Sequence, residues 1–492
     1  MAPDAERFKD ELAAEESRQA GLASRRKVKQ ADNVQKQYSL QEIAGHDKPD
    51  DCWLIIRGKV YDVSTWVSKH PGGSMIFVKA GRDCTQLFDS YHPLYVRKML
   101  DKFCIGRLER PASKVPDSEW AQYLEFCDDQ SDSGFYTTLK QRVEAYFKSN
   151  NINPRYHPGM IIKSVLLLAG FVASFYATFF GFTTMGLNLV AAVLMGSFAA
   201  QFGMSIMHDA NHGAYTESLG LGYVMSLTLD LVGASSFMWR QQHVVGHHAY
   251  TNIDNYDPDM RVDDPDVRRC SNAQPGQSYH KYQHLYLGVL YGLLALKSVF
   301  LDDFKAFFDG HIGTVRVARM TPLESACFWG TKAFYFLYML VLPAVYSPHP
   351  GWKIALLYVL SQLITGWTLA LLFQVAHLVD EVDYPQAKPT ADGHNRVEFD
   401  WAKAQVATTA DFCPGSFFWL HFSGGLSYQV EHHLFPGFCH FYYPAIAPIV
   451  RQTCTEFDVP YHCFPTFWEG LKSHFKHLQK VGLAGFELRL DG

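Results

Sequence analysis

The sequence predicts a multi-domain chain: a small α+β domain, then an all-α membrane domain with four transmembrane helices in two hairpins and a His-rich cap on the cytosolic side. Three observations carry this reading. From Ser164 to Met207, 44 consecutive residues lack Asp, Glu, Lys and Arg, which a soluble core helix does not need and a membrane hairpin does. A His-Pro-Gly-Gly turn, His70–Gly73, follows strand-like sequence and is joined by a second His at position 92. Three His clusters stand beside the apolar spans or between them. A net charge of −5 offers no basic footprint, so nucleic acid is excluded as a partner. The ten Cys form no Cys-x-x-Cys pair, which removes zinc-ribbon and thioredoxin-type readings and leaves free thiols on the cytosolic side.

Taken in order, residues 1–37 are polar and mixed in charge, with Arg25, Arg26, Lys27 and Lys29 clustered and no apolar run behind them. They are expected to be a disordered tail and not a cleavable signal, so the first apolar span must serve as membrane anchor. Residues 38–110 read as the α+β domain. Ser39-Leu40-Gln41-Glu42 has the form of a capping box, and Leu54-Ile55-Ile56 and Val60-Tyr61-Asp62-Val63 flank Arg57-Gly58-Lys59 as a hairpin. Residues 111–157 are a linker followed by an amphipathic helix. Pro111, Pro116, Asp128, Asp129 and Gly134 mark the linker, and Leu139, Val143, Tyr146 and Phe147 fall at helical spacing beside Lys140, Arg142 and Lys148. That helix is expected to lie on the membrane surface.

Residues 158–492 form the membrane domain. Its hairpins are Ile161–Phe182 with Leu187–Met207, and Ala326–Tyr346 with Ile354–Ala376. Each span is about 20 residues, or roughly 30 Å of helix, the thickness of a hydrocarbon core. Lys332, near the start of the third span, is expected to snorkel. Leu219–Met238 and Leu285–Leu301 are apolar but carry Asp230 and Lys297, which reads as interfacial or buried helix. The turns within the hairpins are nearly free of Lys and Arg, whereas Arg155, Lys163 and many basic residues stand on the other side. Both termini and residues 208–325 are therefore expected in the cytosol.

In the first domain, Pro71 fixes φ, and Gly72 and Gly73 remove side chains where a flat cofactor would approach the backbone. Imidazoles of His70 and His92 on opposite faces would saturate a heme iron, which then carries electrons and does not activate O2. In the second domain the boxes are His208-Asp209-Ala210-Asn211-His212, His243-Val244-Val245-Gly246-His247-His248 and Gln429-Val430-Glu431-His432-His433, with His377 just past the last span. Two His at i and i+4 share a helix face and can share a metal. The hairpins bring these boxes to one side, where so many neutral imidazoles are best explained by metal. Imidazole suits Zn, Fe, Cu and Ni alike. Eight His exceed one tetrahedral site, and single electrons from a heme are useless to Zn, so a non-heme di-iron centre that reduces O2 is expected.

Residues 51–93 resemble cytochrome b5, through Cys52-Trp53-Leu54, Val60-Tyr61-Asp62-Val63 and Gly81-Arg82-Asp83. That resemblance implies heme b with His70 and His92 as axial ligands. The second and third boxes, the hairpins and the fused heme domain resemble the front-end membrane fatty-acyl desaturases over residues 38–490. This implies a metal-ligand set of His208, His212, His243, His247, His248, His377, His432 and His433. In this class Gln429 stands where related desaturases have His, as a weak ligand, an outer group or a holder of water. The implied reaction inserts a cis double bond between an existing one and the carboxyl end of a polyunsaturated acyl chain. The resemblance favours delta-5 chemistry on C20 chains, with delta-6, delta-8 and delta-4 open, and acyl lipid and acyl-CoA both possible as carrier. It implies O2 as co-substrate, an NAD(P)H-dependent cytochrome b5 reductase as electron donor, and the endoplasmic reticulum membrane as location. Phe237-Met238-Trp239 and Phe417-Phe418-Trp419 are candidates to line an acyl tunnel, and Gly424 and Gly425 to permit close backbone approach. Two other readings compete: a b5-fused sphingolipid desaturase or hydroxylase, and an electron carrier whose boxes hold structural Zn.

Overall fold

The structure, a computed structural model, describes residues 36–110, 120, 123–127, 133–260 and 266–484. The expected tail lies outside the described residues up to position 35. Gln37 and Tyr38 already form strand β1 (Gln37–Tyr38). The chain divides into two compact units, one of residues 1–154, 387–403 and 449–458, the other of the remainder.

In the first unit a sheet runs in the order β1, β6 (Cys104–Leu108), β4 (Lys59–Asp62), β3 (Asp51–Ile56), β2 (Asp47–Lys48), with β5 (Arg82–Asp83) also on β3. The expected hairpin is present: β3 and β4 pair antiparallel from Trp53 opposite Asp62 to Ile56 opposite Lys59. Arg57 and Gly58 both have positive φ, 51° and 68°, the twist that a two-residue hairpin turn needs. Ser39 Oγ accepts from Glu42 N at 3.1 Å and starts α1 (Leu40–Ala44). Cys52, Leu54, Ile56, Tyr61 and Val63 bury one face of the sheet beneath Phe88 of α2 (Thr85–Tyr91).

Part of the expected linker is regular, while Pro111, Pro116, Asp128 and Asp129 lie outside the described residues. Leu124–Phe126 forms strand β7 and pairs parallel with β8 (Asn395–Val397), a partner 271 positions away in the chain that no local pattern announces. The amphipathic helix is α3 (Phe135–Ser149), with the expected limits. Its apolar face is not offered to a membrane: Phe135, Leu139 and Val143 are 0 % exposed, and Phe135 and Tyr136 pack edge-on against Phe457 and Trp401 of the same unit.

The second unit is built on apolar helices. α4 (Pro158–Tyr176) continues through a π turn to Gly181, and α5 (Met185–Gln201) continues through Phe202–Met207 into His208–Asn211. α6 (Pro322–Phe336) runs on to Tyr346, and α7 (Gly351–His377) closes the second hairpin. Two starts follow ordinary capping chemistry. The His157 ring accepts from Gly159 N at 3.0 Å ahead of α4. Thr321 and Glu324 form a full capping box around Pro322 at α6. On α4, Ile162, Val165 and Leu166 are more than 60 % exposed, an apolar surface that lipid would cover. α5 and α7 pack closely enough for Thr365 Oγ1 to donate to Gly196 O at 3.0 Å.

By length and composition five helices among the described residues could cross a membrane: the four expected and Ser278–Asp309. Leu219–Leu231 and Ser236–Tyr250 make a sixth candidate only as a pair bent by 106°. Lys332 does not snorkel. Its ammonium is buried 2.6 Å from Asp303 Oδ2 and donates to Gly233 O, because a carboxylate within reach neutralises it better than a long detour to water. Asp230 is likewise buried and accepts from Ser236 N at 3.0 Å and the Thr331 hydroxyl at 3.2 Å.

Candidate functional site

In the first unit His70 and His92 come together with ring centroids 5.8 Å apart. His92 caps the C-terminal end of α2 and its Nδ1 lies 3.0 Å from Phe88 O, while His70 Nδ1 lies 3.2 Å from Gly73 O. Nδ1–H donation to a carbonyl fixes the tautomer that leaves Nε2 as the ligating atom. The two glycines have different tasks. Gly73 has φ +58°, which a side chain disfavours. A Cβ on Gly72 would stand 2.8 Å from Cε1 of His70, so Gly72 makes room for the His70 ring.

In the second unit the boxes meet. His208 and His212 arrive on the turn after α5. His243, His247 and His248 sit on and just past a π-helical turn, Arg240–His247, and His377 ends α7. Gln429, His432 and His433 lie on α9 (Gln429–Leu434), which follows α8 (Phe417–Phe422). One group comprises His208, His212, His243 and His432. A second comprises His247, His377 and His433. A third, His248 with His432 and His433, joins them, and within each group the ligand atoms lie within 4.8 Å of one another. All eight imidazoles are at most 7 % exposed. Gln429 sits beside the second group, its amide 2.8 Å from His377 Nε2.

The residues fit metal. Both ring nitrogens of His208, Nε2 of His432 and of His433, and Oε1 of Gln429 are buried without a hydrogen-bond partner. Each such atom costs about 1–3 kcal/mol if left so, and they converge on one place. Four of the Nδ1 atoms are engaged. His247 Nδ1 lies 2.9 Å from Asp257 Oδ2, His243 Nδ1 3.1 Å from Asp259 Oδ2, His433 Nδ1 2.8 Å from Gln405 Oε1 and His432 Nδ1 3.1 Å from Tyr443 OH. This outward pairing turns Nε2 inward and fixes the ring planes. Burial, reinforced by neighbouring imidazoles such as His208 and His377, holds His432 and His433 well below the usual His range, so both are neutral ligands at physiological pH.

Sequence reasoning missed these outer partners. Asp257 and Asp259 stand ten and sixteen residues from their rings. An Asp-Pro-Asp run just after a His box was the one local signal for them. Gln405 and Tyr443 carried none. Asp257→Asn keeps the shape but removes the charge from the His247 bond, and iron affinity is expected to fall about 10–100-fold, measured by iron retention against a chelator.

The aromatic candidates separate. Trp239 stacks on His243 with centroids 4.3 Å apart. Phe237 and Met238 are buried in a cluster with Ala306 and Phe328. Phe417 and Phe418 are 78 % and 60 % exposed, so they line no enclosed tunnel; they face outward because only the Trp419 side of the short helix α8 packs, on Phe412 and Phe467. The glycine pair does permit close approach: a Cβ on Gly424 would meet Met204 O at 2.2 Å, and one on Gly425 would meet His440 Cβ at 2.3 Å. The third box is thereby pressed against the helix that carries the first.

Comparison with known proteins agrees with both sites. The fatty acid desaturase family matches residues 184–465, and the cytochrome b5-like heme/steroid binding domain matches residues 39–109. An acyl-lipid (8-3)-desaturase of Physcomitrium patens is 59 % identical over 457 residues, 93 % of either chain. An acyl-lipid (8-3)-desaturase of Mortierella alpina is 35 % identical over 91 % of this chain and 98 % of its own. Delta(5) fatty acid desaturase A of Dictyostelium discoideum is 34 % identical over 91 % of this chain and 94 % of its own.

Proposed function

We propose, since the chain belongs to the fatty acid desaturase family as a front-end acyl-lipid desaturase with a fused cytochrome b5-like heme domain, that it places a cis double bond at Δ5 of C20 polyunsaturated acyl chains. The observation that carries the reaction class is the set of eight buried imidazoles gathered into ligand-spaced groups, with Nε2 of His208, His432 and His433 lacking a hydrogen-bond partner, in one chain with a heme domain. The Δ5 position is supported by the Dictyostelium relative's name and is narrower than the family.

Residues 38–110 act as heme module, in which His70 and His92 would hold the heme iron, and residues 158–492 act as desaturase domain. The di-iron ligands are His208, His212, His243, His247, His248, His377, His432 and His433, with Gln429 on the second group. When bound, two irons supply the O2-dependent oxidising power that an unactivated methylene requires and no side chain possesses. The chain's own residues do the rest. Asp257, Asp259, Gln405 and Tyr443 hold the ligand rings, and burial keeps water from the site. In balance, an acyl CH2–CH2 loses two hydrogens, and with two electrons and two protons O2 becomes two waters. A heme held by His70 and His92 would supply one-electron transfer, with an NAD(P)H-dependent cytochrome b5 reductase as the proposed donor.

Four helices span the membrane in this reading. α5 ends in the first box and α7 ends at His377, so both finish on the site's side. The α6–α7 hairpin then also begins there, at Pro322. The chain between the first box and Pro322 starts and finishes on one side, and the second box returns to that side midway. A single crossing by Ser278–Asp309 would break this parity, so it lies along the interface, and the bent pair before it is re-entrant. The excess of Lys and Arg on one side supports a cytosolic site and cytosolic termini, and the endoplasmic reticulum membrane is the proposed location.

Feeding C20 polyunsaturated acids to a host expressing the chain, then mapping product double bonds, tests the proposal. A new cis bond at carbon 5 is expected. Bonds at 4, 6 or 8 would overturn the position and keep the class, and hydroxylated lipids or altered sphingoid bases alone would overturn both.

A further inference from the structure

The last turn of a helix leaves carbonyls with no intrahelical partner. On α2, which ends at His92, two carbonyls of this region are met by a buried cation from outside the heme module. Lys140 of α3, 5 % exposed, donates from Nζ to Asp89 O at 2.5 Å and to His92 O at 2.6 Å. A buried ammonium at a helix C-terminus is strongly placed, because the helix dipole and both carbonyls favour it. The same segment makes a further bond to the module: Tyr123 OH donates to Asp83 Oδ2 at 2.6 Å.

That segment is in turn held by chain from far along the sequence. β7 pairs with β8, His394 Nε2 lies 3.0 Å from Glu125 Oε2, and Tyr136 packs on Trp401. Residues 387–403 and 449–458, which complete this unit, fall inside the stretch matched by the desaturase family. The module thus contacts a seat made of residues 123–127 and 133–149, and desaturase-family chain forms the back of that seat.

We infer that the heme module is a seated part of the fold and not an electron carrier on a flexible tether, with Lys140 as the clamp on the turn that presents His92. Lys140 is a positioning residue: it touches the ligand's backbone and not the reacting atoms. The inference rests on the heme assignment of the first domain and is independent of where the double bond is placed.

The test uses the full-length holoprotein in detergent, with a specific protease site inserted between residues 111 and 118. After cleavage, size exclusion is followed at the heme Soret band. The heme fragment is expected to co-elute with the fragment that begins after the cut; elution of the heme fragment alone would overturn the seat. Lys140→Met keeps the stem and removes both bonds. Before cleavage its Soret band is expected unchanged; after cleavage its heme fragment is expected to be retained about tenfold or more weakly, since bonds from a charged donor are the strong ones. Retention equal to wild type would overturn the clamp. Should Lys140→Met shed heme before cleavage, Tyr123→Phe decides on the same column: weakened retention upholds the seat and undiminished retention overturns it. A wild-type chain without a Soret band would instead remove the heme assignment itself.

Discussion

His432→Ala is expected to abolish desaturation and to leave the heme spectrum intact. His432 belongs both to the group with His208, His212 and His243 and to the group with His248 and His433, so its loss opens the cluster where the two halves meet. Outer partners alone are worth about 10–100-fold in metal affinity, and an inner ligand is worth more. Product formation is therefore expected to fall by at least about a hundredfold. The module around His70 and His92 lies in the other compact unit, and its Soret band serves as the internal control for folding. Retained product formation would remove the third box from the metal site.

The second large effect is its mirror image. His70→Ala is expected to eliminate the heme signal and NAD(P)H-driven turnover while non-heme iron content stays at the wild-type level. The His70 ring fills the space that Gly72 leaves, and its Nδ1 is tied to Gly73 O. Ala therefore removes the ligand at a position already built around it. Optical spectra and iron analysis of one preparation check both halves. Loss of non-heme iron together with heme would show that the two sites do not load independently.

Much of the fold and the site's inner ring was legible in the sequence because the signals are local. Spans are long uncharged runs, the hairpin is an Arg-Gly turn between strands, and His at i and i+4 meet on any helical turn. What was missed depends on contacts between distant positions. The pairing of β7 with β8 turned a supposed linker into a strand, and the partners of His432 and His433, Tyr443 and Gln405, come from other elements. Lys332 was read as a snorkelling cation because Asp303, 29 residues away, was invisible as its partner. α3 was assigned correctly as amphipathic, but periodicity says which face is apolar and not whether lipid or protein covers it. Phe417 and Phe418 fail as tunnel residues for the same reason.

Metal content of the purified holoprotein tests the central claim most directly. Eight imidazoles in three overlapping groups, in one chain with a carrier of single electrons, correspond to about two non-heme Fe for each heme. Zn in their place, with no non-heme Fe and an intact heme band, would contradict an oxidative centre and leave a structural metal site in its stead.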